Sequence, residues 1–299
     1  MVFENTLITG GSGLVGSCLN FGKKPTRSEL DVMDYAQLKD YVLSNNINQI
    51  VHCAAKVGGV AGNNNNMLEY FSDNLSMNAN IIRCCKETNI KRSIFILSTC
   101  VFPKNVVNPI LEKTLHAGEP HETNYGYAYS KRMLEVASRC LPNSICLIPC
   151  NLYGLNDNYN LENGHVIPSL IHKCYLAKKN NTDFVIWGSG KAEREFLFAE
   201  DFGRVIHEVI CNQHQYPKSI IVSPDTCVAI KDLAFMISNI MEFKGNIIFD
   251  TSKLEGIKKK NTSNHVFKQA FPMFQFTELQ IGLEQTIRWF INNCDNVRK

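Results

Sequence analysis

Thr6-Leu7-Ile8-Thr9 is a short apolar strand that runs without interruption into Gly10-Gly11-Ser12-Gly13-Leu14-Val15-Gly16. Counted from Gly10 the glycines follow Gly-x-x-Gly-x-x-Gly, and counted from Gly11 they follow Gly-x-Gly-x-x-Gly. A glycine loop that leaves an N-terminal strand and opens a helix lets backbone approach a pyrophosphate with no Cβ in the way. The plain alternative is a glycine-rich turn with no ligand.

What surrounds the loop favours the first reading. Gln49 to Ala55 and Ser93 to Leu97 read as buried strands, as does Ser144 to Pro149, and helical patterns at Tyr35 to Leu43, Asn74 to Glu87 and Tyr127 to Arg139 separate them. Alternation of this kind argues for an α/β fold, a doubly wound parallel sheet of Rossmann type. The first βαβ unit is cut short. The helix from Leu14 reads to about Phe21, Gly22-Lys23-Lys24-Pro25 breaks it, and no apolar second strand follows. Asn63 to Asn66 reads as a solvated turn, and the loop from Phe102 to Asn124, with Pro103, Pro109 and Pro120, is long enough to be functional.

Ser98-Thr99-Cys100 closes the Ser93 strand at its carboxyl end, where open α/β sheets place their chemistry. Tyr127 and Lys131 are four apart and share a helix face. An ammonium beside a phenol is expected to lower the tyrosine pKa toward working pH, while the Ser98 hydroxyl holds a carbonyl oxygen. Proton transfer within a carbonyl/alcohol pair is the chemistry implied. Tyr-x-x-x-Lys alone occurs by chance in many helices, so its meaning depends on the nucleotide fold around it.

The second half is less regular. His165-Val166-Ile167-Pro168 opens a helix, Phe184 to Trp187 is a strand, and Gly188 to Arg194 reads as a polar loop. Asp201 to Cys211 reads as a helix, Ser219 to Val222 as a strand able to rejoin the sheet, and Ile230 to Met241 and Leu283 to Asn292 as amphipathic helices. Lys258-Lys259-Lys260 is the densest charge run, and such runs are usually solvated. The resulting division is a dinucleotide-binding domain over 1–155, with 199–226 returning to it, and a smaller C-terminal α+β substrate lobe over 156–198 and 227–299.

A net charge of +3 on 299 residues gives nucleic acid no electrostatic footprint. Twelve cysteines are scattered without a Cys-x-x-Cys pair, so they read as reduced thiols, neither a disulfide framework nor a metal site. With no signal peptide and no apolar run of spanning length, the expectation is a soluble cytoplasmic protein that engages no membrane.

The glycine loop, Ser98, Tyr127 and Lys131, taken in order, resemble the extended short-chain dehydrogenase/reductase family. His52-Cys53-Ala54-Ala55-Lys56-Val57-Gly58-Gly59, Ser98 to Pro103, Gly126 to Arg132, Asn151-Leu152-Tyr153-Gly154, Gly164 to Pro168 and Trp187-Gly188-Ser189-Gly190 narrow it. They are similar to its branch of 3,5-epimerase/4-reductases acting on GDP-4-keto-6-deoxy-D-mannose. The resemblance implies a homodimer using NADPH. It makes Ser98, Tyr127 and Lys131 the reduction triad, and Cys100 and His165 the epimerisation acid/base pair. Gly10, Gly11, Ser12, Gly13, Leu14, Val15 and Gly16 would hold the cofactor pyrophosphate, with Ala54 and Ala55 close by and Arg27 and Asp31 toward the adenosine. Lys131, His165 and Pro149, Cys150, Asn151 and Leu152 would lie near the nicotinamide, and Lys173, Trp187, Arg194 and Lys260 would contact the GDP-sugar. Three departures stand out: a shorter stretch between Cys18 and Arg27, Leu155-Asn156 before Asp157 in place of Pro-His, and lysine at 173 where arginine is frequent.

Elementary chemistry supports the pairing. A 4-ketone acidifies the C3 and C5 hydrogens, so inversion there needs a base and an acid distinct from the reducing tyrosine. Cys100 and His165 have intrinsic pKa values suited to that work. Lys23, Lys24 and Arg27, with no acidic residue in the short stretch before Ser28, favour NADPH over NADH. Two other functions remain open: an epimerase or reductase on another GDP- or UDP-deoxysugar, and a catalytically silent nucleotide-binding protein.

Overall fold

In the computed structural model, residues 3–58, 66–212, 216–253 and 257–298 are described; Gly59 and the expected turn at Asn63 to Asn65 lie outside them. Five strands, β1 (Thr6–Thr9), β2 (Gln49–His52), β3 (Arg92–Ile96), β4 (Ser144–Pro149) and β8 (Ser219–Val222), form one sheet in that order. All its neighbours are parallel. Beyond β1 the missing second strand survives as a single bridge: Ile8 N donates to Lys23 O at 2.9 Å, and Lys23 N to Thr6 O at 2.8 Å.

Strand residues alternate between two cores because successive side chains point to opposite faces. Leu7, Ile50, Phe95, Cys146 and Ile148 face one layer. It is closed by Leu38 and Val42 of α2 (Tyr35–Ser44), Ile81, Cys84 and Cys85 of α3 (Met67–Glu87) and Leu134 of α4 (Tyr125–Cys140). Ile8, Val51, Ile94, Ile145 and Leu147 face the other layer, against α6 (Ala199–Cys211) and α8 (His265–Ala270). The α6 helix has no side-chain N-cap, a loss of about 1 kcal/mol. Complete burial of Phe202, Val205, Ile206 and Val209, each worth about 1.5–3 kcal/mol, outweighs it.

A third core gathers Tyr153, Tyr159, Ile171, Phe184, Ile186, Leu233, Ile237, Leu283 and Phe290. They come from α5 (Val166–Asn180), α7 (Ile230–Ile240), α9 (Leu279–Asn293) and short strands. Of those strands, β5 (Asn151–Tyr153) and β11 (Lys259–Lys260) run parallel to β7 (Glu193–Phe198), and β9 (Cys227–Ala229) runs antiparallel to it. The remaining two, β6 (Phe184–Trp187) and β10 (Ile247–Asp250), pair in parallel. The expected polar loop Gly188 to Arg194 is thus corrected at its end, because Glu193 and Arg194 open β7 and pair with Lys259 and Lys260.

A second correction concerns the first helix. α1 covers only Leu14–Ser17, because Cys18 N and Leu19 N turn to the i−3 carbonyls of Val15 and Gly16 and the chain then reverses at Gly22, φ 73°. No helix among the described residues is long and apolar enough to cross a membrane.

Candidate active site

The carboxyl ends of β1 to β4 open onto a cavity of about 1560 Å³. Every residue singled out from the sequence for catalysis, cofactor or substrate lines it except Lys23.

At the β1 end, Gly10 adopts φ 69°, and a Cβ there would lie 2.7 Å from Ala54 N. A Cβ on Gly16 would overlap the Gly10 carbonyl. The loop therefore closes tightly against β2 and presents bare backbone, the cradle that a dinucleotide pyrophosphate requires. Because α1 is a single turn, the loop amides carry that role and a macrodipole adds little. Lys24 lies across Gly11, and Lys24 and Arg27 both line the cavity. Lys23 does not: its ammonium donates to Asn45 Oδ1 at 2.9 Å, which removes it from the cations expected to meet a 2′-phosphate.

Ser98 caps a turn of 3-10 helix over Thr99–Val101 that carries Cys100. On α4 the Lys131 ammonium lies 5.9 Å from the centre of the Tyr127 ring and donates to Ile96 O at 2.9 Å. Lys131 is 2% exposed, and burial pushes it down to about 8. Burial, and then the neighbouring Cys100, push the Tyr127 phenol up. The expected lowering of the tyrosine by the lysine is therefore corrected. With the lysine engaged on a backbone carbonyl, desolvation of the phenolate dominates, and Tyr127 stands as a protonated donor.

Sequence reasoning missed the support behind this triad. Ala54 N donates to Thr9 Oγ1 at 3.2 Å, and Thr9 Oγ1 lies 2.8 Å from His52 Nδ1. His52 Nε2 lies 3.1 Å from Asn78 Oδ1, and Asn78 Nδ2 donates to Ser130 O at 2.9 Å. His52 is fully buried and is pushed down to about 3 by burial and by Lys131, so it serves as a neutral link between β1, β2 and the helix of Tyr127 and Lys131. In the sequence it shows only as a histidine that closes an apolar strand and opens the His52 to Gly59 motif, with no sign of its partners.

For the epimerisation pair, Cys100 is raised by burial, while Lys260 and then the Ser98 hydroxyl oppose that rise. His165, at the start of α5, has 46% of its side chain open to the cavity although the site is sunk within the protein. Burial lowers its pKa, but Asp157, with Oδ1 at 3.8 Å from His165 Nδ1, turns the balance upward. Asp157 was not among the residues chosen from the sequence, where it is one acid in a polar loop.

On the far side, Lys173 Nζ sits 4.0 Å above the Trp187 ring. Burial lowers Lys173, Arg194 and Lys260 alike. Lys259 and Lys260 both reach the cavity wall, but Lys259 is paired with Glu193 at 2.9 Å, whereas Lys260 stands beside its strand partner Arg194. Cations held this way favour an anion brought between them, as a nucleoside diphosphate would be. Among the described residues no group of three or more His, Cys, Asp or Glu could hold a metal, and the twelve cysteines are free.

Residues 18–222 match the profile of the NAD dependent epimerase/dehydratase family. The chain is similar to the GDP-L-fucose synthase of Dictyostelium discoideum, at 39% identity over 99% of this chain and 98% of the relative. It is also similar to the GDP-L-colitose synthase of Yersinia pseudotuberculosis, at 30% identity over 97% of this chain and 99% of the relative. Among solved structures, it resembles a GDP-L-fucose synthetase from Naegleria fowleri bound to NADP, with a TM-score of 0.92 and 37% identity over 98% of this chain and 94% of that one.

Proposed function

The chain belongs to the NAD dependent epimerase/dehydratase family, and we propose on that basis that it is an NADPH-dependent enzyme converting GDP-4-keto-6-deoxy-D-mannose to GDP-L-fucose by 3,5-epimerisation and 4-reduction. The observation that carries the reading is the meeting, in one cavity, of a reduction triad with a separate thiol and imidazole.

NADPH, when bound, supplies the hydride for C4. The Gly10 to Gly16 loop would hold its pyrophosphate, Lys24 and Arg27 its adenosine phosphate, and Ala54, Ala55 and Pro149 to Leu152 the route to the nicotinamide. Lys173, Arg194 and Lys260, with Trp187, would clamp the GDP. The Ser98 hydroxyl holds the keto oxygen, which acidifies C3 and C5. Lys260 favours the thiolate of Cys100, so Cys100 is the base that removes these protons. Asp157 favours the imidazolium of His165, so His165 is the acid that returns them on the opposite face. Tyr127 then protonates the C4 oxygen, and Lys131 holds the triad together.

This reading divides the chain into a dinucleotide half, 1–155 with 199–226, and a sugar-nucleotide half, 156–198 with 227–299. It also makes the protein a cytoplasmic homodimer, for which exposed Leu68 on α3 and Met133 and Val136 on α4 offer a second copy an apolar face. The likeness to a GDP-L-colitose synthase favours one second reading, a related enzyme on another GDP-deoxysugar. Incubation with GDP-4-keto-6-deoxy-D-mannose and NADPH, with the product identified by NMR, separates the two. GDP-L-fucose is the expected product, and an unaltered substrate or a product changed at C4 alone overturns the proposal.

A further inference from the structure

The loop joining β5 to α5 contains a carboxylate that its packing does not explain. Asp157 is 2% exposed, yet it lines the cavity wall. Its Oδ1 accepts from Asn158 N at 2.7 Å, and its Oδ2 is buried with no hydrogen-bond partner among the described residues. Burying a carboxylate with an unused oxygen is costly, and a loop turn needing one acceptor could be built with Asn or Ser. A buried carboxylate in that state is directed at something beyond the turn, and its ionisable partner is His165, whose Nδ1 lies 3.8 Å from Oδ1.

We propose that Asp157 is a positioning residue for the epimerisation acid, holding His165 by Nδ1 so that Nε2 is the nitrogen presented to the sugar. The inference rests on the functional reading above and assigns to that site a residue the reading did not need.

The loop is built to hold this geometry. Tyr159, fully buried, takes the carbonyl of Arg298 on its N–H at 2.9 Å, gives its own carbonyl to His172 Nδ1 at 2.7 Å, and donates its hydroxyl to Gly154 O at 3.3 Å. At the other end, Ser169 N donates to His165 O at 3.1 Å, which fixes the histidine backbone at the mouth of α5. Both partners thus hang from anchored backbone, and no hydrogen bond to His165 Nε2 exists among the described residues.

The charged and titratable groups on the wall of the cavity that holds His165 include Asp157 and Glu162 from the loop, Lys173 from α5, Arg298, and Cys100, Tyr127, Lys131, Arg194 and Lys260 from other elements. Two of them act on the ring directly and in opposite senses. Asp157 favours the imidazolium, and the Arg298 guanidinium opposes it. An acid that must deliver protons at neutral pH needs the first effect to prevail.

The opposition supplies the test. In the whole enzyme, the His165 Cε1–H resonance, assigned by its loss in His165→Asn, is titrated in wild type, Asp157→Asn and Arg298→Ala. Asparagine keeps an acceptor for Asn158 N and removes only the charge. The expected result is a His165 titration about one pH unit lower in Asp157→Asn and displaced upward in Arg298→Ala. Deuterium wash-in at C3 and C5 of GDP-4-keto-6-deoxy-D-mannose, followed without NADPH, should show its alkaline limb moving down with the first variant, with roughly tenfold slower exchange above that limb. NADPH affinity should be unchanged. An unmoved titration in both variants overturns the pairing even if the enzyme is active. Absence of wash-in in the wild type overturns the functional reading, and with it the role, while the titration still reports whether the two side chains interact.

Discussion

Lys131 Nζ donates to the carbonyl oxygen of Ile96 at 2.9 Å, two residues before Ser98. The bond ties α4 to the strand end that carries the serine, and it does so with a buried cation whose pKa has been pushed from 10.5 down to about 8.

That depression makes stability depend on pH. Between about 8 and 10.5 the unfolded chain binds a proton at Lys131 that the folded chain does not, so folding strengthens as pH rises through this window. Below it the cost of the buried charge is present in full, on the order of 3 kcal/mol. Lys131→Met removes that cost but leaves Ile96 O short of a donor, a loss of about 1–3 kcal/mol. The variant should therefore be close to wild type in stability at pH 7 and fall behind it as pH rises toward 10, while being inactive. Denaturant unfolding at several pH values checks this; a constant difference between the two proteins would refute it.

Tyr127→Phe should lower ketone reduction by about 10²–10⁴-fold and leave NADPH binding intact, because only the proton donor is lost. With the phenol pushed up by burial, wild-type reduction should show no limb from tyrosine ionisation below pH 10. NADPH consumption with the keto sugar is the measurement, and turnover within tenfold of wild type would exclude Tyr127 as the acid.

How far the sequence anticipated this structure depended on where the physical signal was local. Ser144 to Pro149, Phe184 to Trp187 and Ser219 to Val222 are continuous apolar runs between breakers, and each forms a strand over those same residues. The start of β7 was hidden because Glu193 and Arg194 are polar and half-buried, their strand character coming from Lys259 and Lys260 across the ladder. Likewise α3 starts at Met67, before the expected Asn74: its fully buried positions begin only at Asn74, and Met67, Tyr70 and Phe71 in the first two turns are only half-buried. Ser98, Tyr127, Lys131, Cys100 and His165, which motifs single out, all line the one cavity. Asp157, His52 and Asn78 could not be singled out that way, since each matters only through a partner that the fold brings to it. Burial also reversed the expected direction of the Tyr127 shift, and burial at that depth is a property of three packed layers that no short stretch displays.

Cofactor preference offers a paired prediction. Lys24 and Arg27 face the cavity and Lys23 is turned away to Asn45. Lys24→Glu should reduce the preference for NADPH over NADH by roughly tenfold or more, as loss of a charge-assisted contact would. Lys23→Ala should leave it unchanged. Equal kcat/KM ratios in wild type and Lys24→Glu would show that Lys24 does not meet the cofactor.

Arg194→Ala should raise KM for the GDP-sugar by about tenfold or more while NADPH affinity stays the same, because Arg194 stands beside Lys260 with no ion-pair partner of its own among the described residues. A change in NADPH affinity alone would put the diphosphate elsewhere.

The last prediction concerns the base. Burial raises the Cys100 thiol, and the cation that most opposes this is Lys260, itself lowered by burial on the short strand beside Arg194. If Cys100 removes the C3 and C5 protons as a thiolate, the acid limb of exchange marks the pH at which the thiol ionises. Lys260→Met takes away the opposing charge, so the thiol pKa rises and that limb should move up by about one pH unit. Lys260→Arg keeps a charge there and should restore most of the position. Loss of a diphosphate contact would lower the profile of kcat/KM against pH without displacing it, so the position of the limb separates the two roles of Lys260. Cys100→Ser should go further and nearly abolish exchange at both carbons, since an alcohol is a far poorer base near neutral pH. The reduction triad is intact in that variant, so it should still slowly reduce unepimerised ketone. Wild-type wash-in at C3 and C5 in Cys100→Ser would exclude the thiol as the base.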